Sequence, residues 1–287
     1  MALVIALLSS VCFAVGMVTS RVGLRTLDAR SGAALSIPSA TVLFILAAPF
    51  ALDTTGFDLQ AVLFFAAVGL IFPVSVTLLT FRSNELLGPT VTSAVSGTAP
   101  LFALLTASLF LGEHVPPQAA VSALGVVAGV ALLSWQKGAV GSSFIGWALL
   151  WPLAGAVMRA FAQTGAKAGL LLWSNAFAAG LVGYLVSCAV VICASRFRGV
   201  ETPKPTRRDI AWFAGTGVLN GGGVLLMYFA LSMAPVWVVA PIIASYPLLT
   251  AIISAAVLHD EKVTLHAAAG GGLTIAAIVY LIVSQAP

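Results

Sequence analysis

Charge is what this sequence has least of. Of its 287 residues only 8% are charged and 60% are hydrophobic, with a mean hydropathy of +1.09. A soluble domain cannot clothe its surface with so few charges, so water is excluded as the main solvent. Carboxylates are absent from the middle of every apolar stretch: the nine Asp and Glu residues lie in polar links or at segment ends. That absence removes the group on which simple proton coupling across a membrane runs. The three cysteines, Cys12, Cys188 and Cys193, sit in apolar stretches without CxxC spacing, which excludes a thiol metal site or redox pair of that kind. No GK[ST] follows the glycine run at 221 to 223, so it is not a phosphate loop. No nucleophile elbow or HExxH pattern stands anywhere, and His259, Asp260, Glu261 and His266 read as a solvated turn rather than metal ligands. The sequence therefore predicts no enzyme, cofactor or metal. The pI of about 9.2 comes from basic links without interleaved aromatics, which points to lipid head groups and not to nucleic acid.

What is present is a series of bilayer-length apolar segments. They run approximately from Leu3 to Thr19, Gly32 to Leu52, Leu59 to Phe81, Thr90 to Leu111 and Gln118 to Trp135. Five more run from Phe144 to Gly165, Leu170 to Ala194, Ile210 to Leu231, Val236 to Leu258 and Ala267 to Val283. Each suits a membrane-crossing helix, the structure that satisfies its own backbone groups in lipid. The first segment has no basic n-region and its first positive charge, Arg21, comes after it, so it reads as a retained helix and not a signal peptide.

The segments repeat. Phe65, Ala66, Gly69 and Phe81 of the third match Phe213, Ala214, Gly217 and Phe229 of the eighth at one offset. Pro100 to Glu113 closes the fourth much as Pro247 to Glu261 closes the ninth. The expected organisation is a duplicated five-helix unit, residues 1–140 and 141–287, in one membrane domain. Five is odd, so the second copy enters the membrane from the opposite side, giving an all-α integral membrane protein of ten helices in two inverted repeats around a central cavity. All Lys and Arg except Arg159 and Lys167 follow odd-numbered segments, which by the positive-inside rule puts odd loops in the cytoplasm and both termini outside. Cysteine accessibility at Ser142 and Thr202 checks that orientation.

Chemistry-bearing residues are few. Asn220 and Gly221, Gly222 and Gly223 fall at the middle of the eighth segment, opposite Phe72 and Pro73 of the third. Paired interruptions at mid-depth point to a substrate site with hinges; two close helix crossings are the alternative. Arg159 is the one charge well inside a segment, with Gln163 on the same helical face. Its fork suits a carboxylate, although its stem could instead carry the charge to the interface. Tyr228 and Tyr246 offer ring faces and hydroxyls. Ser245 beside Pro247, and Ser96 and Thr98 before Pro100, are further cavity candidates, and the two prolines are hinge candidates, although hydroxyls in membrane helices commonly bond back to a carbonyl. Glu113 reads as a helix-end partner.

Gly88-Pro89 and Ala234-Pro235, Ala-Pro-Leu-Phe at 99 to 102 with Leu-Gly-Glu at 111 to 113, Tyr-Phe-Ala-Leu at 228 to 231 and Tyr-Pro-Leu-Leu at 246 to 249 resemble the drug/metabolite transporter superfamily, EamA type. The likeness spans nearly the whole chain; Leu258-His-Asp-Glu261 departs from the family's Leu-x-Gly-Glu. The resemblance implies a ten-helix carrier in the bacterial inner membrane, with a cavity built by helices one, three, four, six, eight and nine. It is nearest the exporter branch for neutral and aromatic amino acids. The expected partners are a small-molecule substrate and the lipid bilayer, with the monomer as the working unit. Carriers of other metabolites or drugs, phosphorylated ones included, and a non-transporting scaffold are the alternatives. Family accounts often place both termini in the cytoplasm, against the charge count above.

Overall fold

The computed structural model describes residues 1–133, 147–196, 205–257 and 265–284, with the backbone alone of 133, 195–196 and 265–268, and among these residues twelve helical pieces assemble ten spans. Spans one and two are α1 (Ala2–Gly23) and α2 (Ala29–Ala51). Span three is α3 (Leu59–Ile71) continued by the first part of α4 (Val74–Ser96); span four is the rest of α4 with α5 (Ala99–Leu111). Spans five to eight are α6 (Pro117–Leu133), α7 (Leu150–Leu172), α8 (Ala176–Arg196) and α9 (Arg207–Met233). Span nine is α10 (Val236–Ile243) with α11 (Tyr246–Val257), and span ten is α12 (Leu265–Val283). The join expected at 140/141, the 258–261 closure and the test positions Ser142 and Thr202 lie outside the described residues.

The turn between spans three and four needs glycine: Gly88 has φ 79° and ψ 171°, a conformation side chains resist, and Pro89 restarts the helix. Leu46 and Leu109 are 68% and 69% exposed and stand among many exposed apolar side chains that face outward, as a lipid-facing wall requires.

The inverted repeat is visible in the packing. α1 lies against α9, and its counterpart α7 lies against α3 and α4; α2 lies against α9 as α8 lies against α3. The breaks in spans four and nine match hydrogen bond for hydrogen bond. Thr98 N–H donates to Val95 O at 3.1 Å and Ser245 N–H to Ile242 O at 3.1 Å; Leu101 N–H donates to Thr98 O at 3.1 Å and Leu248 N–H to Ser245 O at 3.0 Å. Spans five and ten pair across the pseudo-axis through small residues: a methyl group added at Gly129 would come within 2.7 Å of Gly270 O and Thr274 N, and one at Gly125 within 2.8 Å of Ala277 Cβ.

Two expectations are corrected. Lys167 and Arg21, taken from sequence as loop charges beyond their helices, belong to α7 and α1 and reach inward. Lys167 Nζ donates to Leu231 O at 2.7 Å and Ala234 O at 3.1 Å, while both carboxylate oxygens of Glu113 accept from Val236 N–H at 3.1 Å, so the turn from α9 to α10 is clasped from two sides. On the opposite membrane side Arg21 Nη1 donates to Asn84 O at 2.7 Å and Glu85 O at 3.1 Å, holding the end of span three in the same manner. The ammonium and guanidinium meet the negative C-terminal ends of α9 and of span three, as the macrodipole favours. Lys167→Met is expected to lower stability by about 2–3 kcal/mol, the loss typical of charged hydrogen bonds; detergent-solubilised unfolding curves measure it.

The second correction concerns α9, which runs unbroken through Asn220 to Gly223. A methyl at Gly221 would come within 3.1 Å of Ala40 Cβ and one at Gly223 within 3.0 Å of Phe13, whereas Gly222 has nothing within 4 Å. The run is thus shaped by close crossing with α2 and α1, and the break on this side falls in span nine instead. Gly222→Ala accordingly is expected to leave transport unchanged and to raise stability by about 0.5–1 kcal/mol through helix propensity; transport assays and thermal unfolding read both.

Candidate functional site

A cavity lies at the centre of the ten spans, where the breaks meet. It is lined from α1 by Phe13, Gly16, Met17 and Ser20, from the third span by Phe72, Pro73, Val76, Thr77, Thr80 and Phe81, and from α7 by Arg159. Tyr184 of α8, Asn220 and Val224 of α9 and Tyr246 of α11 complete it. The open space within is about 40 Å³, room for two or three waters. A roomier cleft of about 690 Å³ lies behind α4, lined by Leu78, Leu79, Trp151, Met158 and the Arg82–Glu85 pair. Asp28, Ala29 and Arg30 at the start of α2 add to its lining, and it holds none of the residues that the repeat brings together.

Span three is interrupted at Phe72 and Pro73, joined by a cis peptide, and Phe72 adopts extended φ and ψ before α4 begins. The Phe72 ring lines the cavity. Arg159 lies nine residues into α7, about 14 Å along its axis. It does not snorkel: it is 7% exposed, and its guanidinium carbon stands 5.3, 6.0 and 5.8 Å from the rings of Phe13, Phe72 and Tyr246. Each such contact attracts the cation. Phe13 and Tyr246 meet edge to face, centroids 6.4 Å apart, which fixes the cage.

The polar groups around this cage are incompletely satisfied. Arg159 Nε and Nη1, Gln163 Oε1, Ser96 Oγ and the Tyr246 hydroxyl are buried without a hydrogen-bond partner. Ser96 lies beside Tyr246 but outside good hydrogen-bond geometry. Among the described residues no carboxylate pairs with Arg159. A guanidinium keeps its charge in proteins, and a buried charge with unmet donors favours an anionic oxygen ligand. Asn220 is half-buried, with Oδ1 against Gly16: a methyl there would approach it to 2.5 Å. From Arg159 the cavity extends along α1 and α4 toward Thr77, Thr80 and Ser20, where Asn84 Nδ2 donates to Ser20 Oγ at 2.8 Å. This hydroxyl-lined limb leads to the side of the membrane held by Arg21.

Of the residues singled out from sequence, Arg159, Asn220, Tyr246, Phe72 and Pro73 line the cavity. Gln163 is one turn behind Arg159, with Nε2 3.5 Å from Met227 Sδ, and Tyr228 is buried without reaching the cavity wall. Thr98 and Ser245 are turned away: their hydroxyls donate to Val95 O and Ile242 O, each at 2.7 Å, completing the broken helix ends. Pro100 and Pro247 open α5 and α11 at those breaks, and Gly97 packs on Pro247. The other lining residues were not singled out from sequence, Phe13 and Tyr184 chief among them. Phe13 has no signal beyond an apolar run, whereas Tyr184, a lone tyrosine inside span seven, carried the same signal as Tyr228. Its ring stacks on Phe44 with centroids 5.1 Å apart.

Ten spans in two inverted repeats, closed on a caged cation at mid-depth, define a membrane transporter. The chain belongs to the EamA-like transporter family, whose model matches residues 1–135 and 146–283, one match for each repeat. Solved structures agree in fold: one crystal structure superposes on 99% of this chain and 96% of its own with a TM-score of 0.79, at 15% identity. No curated protein sequence matches the chain.

Proposed function

We propose that this transporter exports neutral and aromatic amino acids from the bacterial cytoplasm across the inner membrane, working as a monomer by alternating access about the central cavity. The observation that carries the reading is Arg159: a buried cation with two unmet donors and, among the described residues, no carboxylate beside it, in a cage of three aromatic rings. The substrate carboxylate takes the guanidinium fork, which is worth more here than at a surface because water is excluded. Phe13, Phe72, Phe81 and Tyr184 receive an apolar or aromatic side chain, and Asn220 with the hydroxyls of Thr77 and Thr80 offers acceptors to the ammonium. Among the described residues no Asp or Glu lines the cavity, and the cycle fits facilitated diffusion or exchange. Hinge motion falls to the breaks at Phe72–Pro73, Pro100 and Pro247. One cavity cation serves a carboxylate; a phosphorylated metabolite needs several, which disfavours that reading.

Counterflow of labelled amino acids into proteoliposomes, run against a panel of competitors, tests the proposal. Accumulation displaced by tryptophan or phenylalanine and not by sugar phosphates is expected. Accumulation displaced only by phosphorylated compounds would replace it, and none with any of the panel would sink it.

A further inference from the structure

We infer that the cage around Arg159 is a binding site for a small monovalent anion of the halide class, chloride or bromide, occupied when no substrate carboxylate is present. Arg159 and Tyr246 line the cavity with buried polar atoms that meet no hydrogen-bond partner, and Ser96 stands beside Tyr246. Arg159 supplies Nε–H and Nη1–H, and Ser96 and Tyr246 supply hydroxyls able to donate; Gln163 Oε1 accepts and lies to the side. The Arg159 N–H groups with the Tyr246 hydroxyl beside them suit a small spherical anion. Nothing among the described residues neutralises the charge, and the three rings that surround it at 5.3 to 6.0 Å shield it from water. An isolated ion in such surroundings is strongly disfavoured until a counter-charge joins it.

The size of the space selects the ligand. About 40 Å³ is open inside the cavity, enough for one ion of roughly water size with a water or two, and too little for an amino acid. A whole amino acid does not fit this space, whereas a halide does. The anion stabilises the substrate-free carrier and must leave before the carboxylate arrives, so it competes with substrate. The competition rests on the amino-acid reading above; the anion site itself does not.

The test is thermal unfolding of the purified protein in detergent at constant ionic strength, with chloride or bromide exchanged for gluconate, which is too large for the cavity. Wild-type protein is expected to gain about 3 °C or more, with a saturating dependence on halide. Arg159→Gln is expected to lose the response. Should that variant fail to fold, Ser96→Ala and Tyr246→Phe keep the cation and each is expected to shift half-saturation to several-fold higher halide. Identical unfolding in chloride and gluconate, or an unaltered response in all three variants, would overturn the site. In proteoliposomes, chloride is expected to raise the apparent KM for tryptophan about threefold or more with Vmax unchanged. A halide-stabilised protein whose KM ignores chloride would keep the anion site and overturn the placement of the substrate carboxylate on Arg159.

Discussion

Arg159→Ala is expected to reduce amino-acid counterflow by about 100-fold or more while the protein still folds. Truncating one partner of a desolvated, hydrogen-bonded charge pair typically costs about 2–5 kcal/mol, and about 2.7 kcal/mol is already a factor of one hundred. Folding tells the other half of the story. In substrate-free protein held without halide the guanidinium has unmet donors and, among the described residues, no carboxylate partner, so its removal relieves a buried charge as well as deleting three ring contacts. In gluconate, with no halide on the guanidinium, size-exclusion profile and unfolding temperature should therefore stay near wild type. A purely structural arginine would give the opposite pattern, with lost fold and residual transport in whatever fraction survives.

The second large effect lies at Gly217, where α9 crosses α2. A methyl group there would overlap the carbonyl oxygen of Ser36, a backbone atom with nowhere to go. Gly217→Val must push the two helices apart, opening voids along the contact that also seats Phe213 against Gly32 and Gly23. Overpacking of this kind costs about 1–3 kcal/mol and more where backbone must move, so unfolding is expected at least about 5 °C below wild type, with loss of folded yield in membranes. Gly222, one turn further on and facing open space, is the matched control.

Much of this architecture was legible in advance because it rests on composition and parity. Bilayer-length apolar segments announce themselves, and matched residues in the third and eighth, with an odd number of helices per unit, force an inverted arrangement. Arg159 stood out for the same reason, as an isolated charge at mid-segment. The glycine run was ambiguous because a loosened helix and a close crossing ask for the same residues; only the neighbours Ala40, Phe44 and Phe13 decide between them. Thr98 and Ser245 were misjudged because a hydroxyl that bonds back to its own helix looks in sequence like one that faces a cavity. Lys167 and Arg21 were placed in loops because their helices outrun their apolar stretches. Long stems bury against neighbouring helices while the charged ends reach carbonyls on the next turn. Span six accordingly extends to Leu172 and span seven begins at Ala176, where Asn175 Oδ1 accepts from Ala178 N–H.

The central claim is that a substrate carboxylate meets Arg159 inside the cavity. Competition in tryptophan counterflow tests it most directly, using tryptophan, its amide and tryptamine, which share the indole and amine and differ at the carboxyl position. The account predicts that tryptophan inhibits strongly and that the amide and the amine are weaker by about 100-fold. Equal inhibition by all three would contradict it.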